Sequence, residues 1–217
     1  MPPEQIFFLG DSITLADNDG ERCGWPGRLC RGLEIAGCAV TAYNLGINGD
    51  TSRDIAARWQ GEVAARRLRG NGRGTVALVF AYGFNDACSA NGGGLQVELA
   101  ESLALSRTML TAAAAMGPTL WIGPTPLDEG VNPMVSGEVT WDMRNADIAR
   151  YSAAFAVLAR EIAIPYLDLF TPLSRSPRYA GALAAYDRVH PADDGYAMIA
   201  EHIAAWQGWQ SLVTGTA

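Results

Sequence analysis

The sequence predicts an α/β domain built on a five-stranded parallel sheet with helices on both faces. Three observations carry that expectation: five short apolar runs, amphipathic helical patterns between them, and a length suited to one core. At 217 residues the chain is large for a minimal domain and small for two, so a single domain spanning residues 1–217 is expected. Apolar residues make up 49% and charged residues 18%, which excludes the polar, highly charged regime of disordered chains.

The five runs are residues 5–9, 39–44, 76–81, 119–123 and 166–169. Each has the length and near-continuous hydrophobicity of a parallel strand buried on both faces. After the first run, Trp25 and Pro26 place proline in the first turn of a helix that carries Leu29 and Leu33 and stops at Gly37. Ser52 is placed to cap the next helix, whose buried stripe is Ile55, Trp59 and Val63. A third crossover covers 95–116, with Leu99, Leu103, Leu110 and Ala113 on one stripe and Gly117-Pro118 as its stop. A fourth helix carries Ile148, Tyr151, Phe155, Leu158 and Ile162, and a last one, 193–206, carries Tyr196, Ile199, Ala200 and Ile203. Parallel strands joined by right-handed helical crossovers give a doubly wound, flavodoxin-like sheet. Residues 70–74 and 91–94 are glycine-rich loops. The segment 124–141 shows neither helical nor strand periodicity, so it is expected to be a long loop walling a substrate pocket, with Met134, Val135 and Trp141 as an apolar surface.

Composition also narrows the partners. A net charge of -7 with scattered basic residues argues against nucleic acid. The one basic cluster, Arg66, Arg67, Arg69 and Arg73, reads as cations at a helix C-terminus. Cys23, Cys30, Cys38 and Cys88 form no CxxC pair and have no histidine at finger-like spacing, so no metal is expected; Cys30 and Cys38 read as core thiols. No signal peptide and no membrane-spanning run is visible, which leads to the expectation of a cytoplasmic protein without membrane insertion.

Ligands of open α/β sheets bind at the carboxyl ends of the strands, so the residues that follow each predicted strand are the informative ones. They are Gly10-Asp11-Ser12 after the first, 44–52 after the second, Gly83-Phe84-Asn85-Asp86 after the third and, more distantly, Asp187 to Pro191 after the fifth. Ser12 is a candidate nucleophile, and a serine hydroxyl must lose its proton to a base as it attacks. His190 is the candidate base, since imidazole titrates near neutrality. Asp187, three residues earlier, can hold the other ring nitrogen from the same turn. The backbone N–H groups of Ser12 and Gly49 and the side-chain amide of Asn85 are candidate oxyanion donors, each worth on the order of 3 kcal/mol in the transition state. His202 falls within the last helical pattern and Asp11 beside the nucleophile; both read as structural.

Taken jointly and in this order, these stretches resemble the signature blocks of the SGNH hydrolase superfamily, the GDSL esterases and lipases. The resemblance runs from Leu9 to Pro191 and includes Ser12, Gly49, Asn85 and His190. It implies a flavodoxin-like domain and a cofactor-free and metal-free Ser-His-Asp mechanism with an acyl-enzyme intermediate. The implied substrates are carboxylic esters, thioesters, lysophospholipids or acetylated sugars. Acyl transfer to an alcohol would use the same site. A nucleotide- or phosphate-binding module is the alternative of another class, but Cys38 stands where the P-loop spacing from Gly32 and Gly37 requires lysine, and no GxGxxG follows the first strand. A silent carbohydrate-binding or interaction protein would not need the intact triad.

Overall fold

The computed structural model describes residues 2–67 and 75–216; Arg69, Arg73 and the 70–74 loop lie outside the described residues. Strand β1 (Gln5–Gly10) leads into a single helical turn, α1 (Ser12–Leu15), and then α2 (Gly24–Ile35). β2 (Thr41–Gly46) is followed by α3 (Ser52–Arg66), and β3 (Val76–Ala81) by a 3-10 turn (Asn85–Ala87), the short β4 (Cys88–Ala90) and α4 (Leu99–Ala114). After β5 (Thr119–Ile122) come another 3-10 turn (Glu129–Val131), the hairpin strands β6 (Met134–Ser136) and β7 (Val139–Met143), and α5 (Asn145–Glu161). The chain ends with β8 (Tyr166–Leu167), α6 (Phe170–Leu173), α7 (Pro177–Ala184), α8 (Asp193–Ala205) and α9 (Gln207–Thr214).

The main sheet has the order β2-β1-β3-β5-β8 with every pair parallel, which is the doubly wound, flavodoxin-like arrangement. Side chains alternate across it. Phe7, Leu9, Leu78, Phe80 and Trp121 pack with Ile55, Trp59 and Val63 of α3, Leu110 of α4 and Phe155 of α5. Ile6, Phe8, Ala77, Val79, Leu120 and Ile122 pack on the other face with Trp25 and Leu29 of α2, Ile199 and Ile203 of α8 and Trp209 of α9. Each large side chain so buried contributes about 1.5–3 kcal/mol by leaving water.

Several expectations need correction. The second strand runs two residues further than expected, because Leu45 and Gly46 stay in register with Leu9 and Gly10; as a sheet edge it is largely exposed at its start rather than buried on both faces. Thr51, not Ser52, caps α3, in a reciprocal box with Asp54. The buried face of α4 carries Ser102 and Ser106 beside Met109, Leu110 and Ala113, while Leu99 and Leu103 are only partly buried. Those serines escape a hydrophobic reading because their hydroxyls are bonded to Asp86 and Tyr82. Cys38 is exposed and Cys30 half-buried, so neither is a core thiol; Cys88 is the buried one. Residues 124–141 are not a bare loop. The β6–β7 hairpin pairs onto β4 as a three-stranded antiparallel sheet, formed by strands too short for their alternation to register in the sequence. The turn α1, the short strand β4 and helices α6, α7 and α9 have no counterpart among the expected elements. Among the described residues no helix is long and apolar enough to cross a membrane.

Candidate active site

The sheet order reverses between β1 and β3, and such a switch point opens a crevice at the carboxyl ends of the strands. Ser12 opens α1 directly after β1. Asp11 caps this turn by accepting from the Ile13 N–H at 3.0 Å, the structural role expected of it. Burial pushes the Asp11 carboxyl up to about 7 against the lowering effects of the Ile13 N–H and of His190. The turn lies directly on the neighbouring strand, where Gly46 leaves no side chain between it and Leu15. Asn44 ties the two together by donating to the Thr14 carbonyl at 2.7 Å and accepting from Gly46 N–H at 3.0 Å.

His190 comes from the segment between α7 and α8. Asp187 folds that segment upon itself, its Oδ1 accepting from the N–H groups of Val189 at 2.9 Å and His190 at 2.7 Å. Its Oδ2 lies 2.6 Å from His190 Nδ1, and His190 Nε2 lies 2.8 Å from Ser12 Oγ. A proton on Nδ1, facing the carboxylate, leaves Nε2 as the acceptor for the serine hydroxyl. Burial disfavours the imidazolium, but the hydrogen bond and charge of Asp187, with Asp17 and Asp11 behind them, outweigh it and raise His190 above its ordinary value. Burial likewise works against the Asp187 carboxylate, and its hydrogen bonds from His190 and Val189 overcome it, lowering its pKa.

Gly49 follows β2 with φ of +79°, in the left-handed region that glycine enters without strain. Asn85 opens the 3-10 turn after β3 and donates one amide hydrogen to the Asp50 carbonyl at 2.9 Å; an amide carries two, so the other is free for a ligand. Ser12, Gly49, Asn85 and His190 line one cavity of about 230 Å³. Asp17 and Asn48 also line it, as do Met134, Trp141, Met143 and Cys88 from the antiparallel sheet. Val135 is 69% exposed and is not part of that wall, because adjacent strand residues point to opposite sides.

Arg58, Asp86 and Asp17 surround the site without being among the residues expected from the sequence. Arg58, from α3, pairs with Asp50 at 2.6 Å and donates to the carbonyls of Gly10 at 3.0 Å and Leu45 at 2.8 Å, joining the ends of β1 and β2. Arg58 flanks the Ile55, Trp59 and Val63 stripe of α3 and does not lie on it, so no local pattern marks its role. Asp86 is fully buried and accepts from Ser52 N–H at 2.7 Å and Ser102 Oγ at 2.5 Å, so it braces the Gly49 loop and Asn85 against α4. His202 sits in the last turn of α8, away from the cavity lining.

A hydroxyl at the end of β1 meets an imidazole and a carboxylate from the α7–α8 segment, an arrangement of the kind acyl hydrolases use. The GDSL-like Lipase/Acylhydrolase family profile matches residues 8–198, and the chain belongs to that family. No curated protein matches it. Among solved structures it is similar to a lipase/acylhydrolase from Enterococcus faecalis, with TM-score 0.73 and 22% identity over 94% of this chain and 93% of that one. It is also similar to Axe2, an acetylxylan esterase from Geobacillus stearothermophilus, with TM-score 0.70 and 21% identity over 95% and 96% of the two chains. A third is LAE5, an α/β hydrolase from the metagenome of Lake Arreo, Spain, with TM-score 0.72 and 20% identity over 97% of both chains. At these identities the likeness is one of fold.

Proposed function

We propose that this chain, acting as one catalytic domain, hydrolyses carboxylic esters through a Ser12–His190–Asp187 triad and an acyl-enzyme intermediate. The observation that carries the reading is the unbroken hydrogen-bonded chain from Ser12 Oγ through His190 to Asp187, 2.8 and 2.6 Å long at its two links, opening on a cavity. Ser12 attacks the ester carbonyl while His190 takes its proton, and Asp187 holds the ring and stabilises the imidazolium. The negative charge on the former carbonyl oxygen meets the N–H groups of Ser12 and Gly49 and the free hydrogen of Asn85. His190 then protonates the departing alkoxide, and water repeats the sequence to release the acid.

The side chain of His190 keeps 15% of its surface exposed beside the more open Asp17, which leaves the imidazole within reach of water; this favours hydrolysis over transfer to an alcohol. The apolar wall of Met134, Trp141 and Met143 suits a short acyl group. Acetylated sugars and short-chain esters are therefore the first substrates to try, and the cytoplasmic location expected from the sequence stands as part of the same proposal. The test is labelling by a fluorophosphonate probe together with turnover of p-nitrophenyl esters of graded chain length, for wild type and Ser12→Ala. Stoichiometric labelling and turnover that both vanish in Ser12→Ala are expected. A folded wild type that is neither labelled nor active on any of these esters overturns the reading.

A further inference from the structure

The cavity is divided chemically. The wall from the antiparallel sheet is mainly apolar: Cys88, Met134, Trp141 and Met143, with Ser136 beside them, are held together by the β4-β7-β6 pairing. The other is polar, formed by Asp17, Asn48 and His190. Asp17 Oδ2 lies 4.0 Å from His190 Nε2 and accepts from Asn48 Nδ2 at 3.1 Å. The backbone of Asp17 is pinned twice, its N–H donating to the Ser12 carbonyl at 3.0 Å and its carbonyl accepting from Tyr196 OH at 2.6 Å. The main chain of Asp17 is thus held beside the site, and Asn48 steadies its carboxylate there. Among the described residues that line the cavity there is no arginine or lysine to offset it.

His190 Nε2 is the atom that returns the proton to the leaving oxygen, so a group 4.0 Å from it borders the alcohol half of the ester. On the esterase reading above, we propose that Asp17 is a specificity-determining residue that selects esters whose alcohol part is neutral or cationic and rejects those whose alcohol part is anionic. Hydroxyl-bearing alcohols gain a hydrogen-bond acceptor at this carboxylate. Alcohols and thiols that carry phosphate or carboxylate meet an unpaired like charge in a partly desolvated site, where Coulomb repulsion is stronger than in water.

The experiment compares three acetates that share an acyl group and differ in the charge of the leaving group: 4-nitrophenyl acetate, 3-carboxy-4-nitrophenyl acetate and 3-(trimethylammonio)phenyl acetate. Each kcat/KM is divided by the ester's own rate of hydroxide-catalysed hydrolysis. Wild type is expected to discriminate against the carboxylate ester by at least about tenfold, equivalent to about 1.4 kcal/mol. Asp17→Asn, which keeps an acceptor for Asn48, is expected to bring all three esters to within about threefold of one another. Any effect of this variant on the basicity of His190 acts on all three esters and cancels in the ratio. In wild type the discrimination is also expected to shrink as salt rises from about 0.01 M to 1 M, where the screening length falls from about 30 to 3 Å. If Asp17→Asn still hydrolyses 4-nitrophenyl acetate but the ratios match those of wild type, the assignment of Asp17 is wrong while the esterase reading stands. If wild type hydrolyses none of the three and resists the fluorophosphonate probe, the esterase reading fails and takes this one with it.

Discussion

Replacing Gly46 by alanine would disturb Ser12, the proposed nucleophile, from a neighbouring strand. A Cβ at Gly46 would lie 2.1 Å from the Leu15 nitrogen and 2.7 Å from the Asp11 carbonyl oxygen, both of them backbone atoms. Ordinary contact begins near 3.4 Å, so the α1 turn would have to retreat by about 1.3 Å or the end of β2 would have to move away. Retreat of the turn carries Ser12 with it, and the 2.8 Å link to His190 Nε2 cannot survive a shift of that size unchanged. A misplacement near 1 Å at a reacting group costs on the order of a hundredfold. We expect Gly46→Ala to lower kcat on p-nitrophenyl acetate by about that factor and to slow fluorophosphonate labelling in parallel. Gly61→Ala is the control, since a Cβ on that exposed face of α3 meets nothing within 4 Å and alanine is the better helix former by about 0.8–1.0 kcal/mol. It should keep full activity and raise the melting temperature. A folded Gly46→Ala enzyme with more than half the wild-type kcat would refute the view that close packing on β2 sets the position of Ser12.

Three further outcomes follow from the site. Asp187→Asn leaves the loop geometry available but turns an acceptor for the Nδ1 proton into an amide, favouring the wrong tautomer; kcat should fall by about 10⁴, and a loss under tenfold would remove Asp187 from the triad. Catalysis needs His190 neutral, and its raised pKa means that activity declines with acid from a point above the ordinary 6.5; Asp17→Asn should move that limb of the kcat/KM profile to lower pH, and an unmoved limb would show that Asp17 does not act on the imidazole. Trp141→Ala opens the apolar wall, and room for two more methylenes at about 0.8 kcal/mol each should raise kcat/KM for butanoate over acetate by about fifteenfold. Val135→Ala, on the solvent side of the same hairpin, should leave that ratio as it was.

Much of the fold was legible because its strands are buried. Ile6, Phe7, Phe8 and Leu9, and the whole of residues 76–81, are apolar on both faces because helices cover both faces, and that demand is written into consecutive residues. The stripe of Ile55, Trp59 and Val63 was equally plain, one face of one helix meeting one sheet. Legibility failed where polar groups are buried with partners. Ser102 and Ser106 lie at the core of α4 because Asp86 and Tyr82 reach them from elsewhere in the chain, a circumstance no local pattern carries. It failed again at the hairpin strands β6 and β7, three and five residues long, where alternation is too brief to stand out from a loop.

By itself the sequence determined a doubly wound α/β fold and a set of candidate residues, Ser12, Gly49, Asn85, Asp187 and His190, because strand ends and short motifs are local and a local code can be read in order. Only the tertiary structure decided that Ser12 and His190, 178 positions apart, meet at 2.8 Å. The same holds for Arg58, which joins two strand ends, for Asp17, whose carboxylate lies 4.0 Å from His190 Nε2, and for the antiparallel hairpin that walls the cavity. Each of these depends on a distance across the fold, and such distances are set by how helices and strands pack on the sheet, which the order of residues along the chain does not spell out.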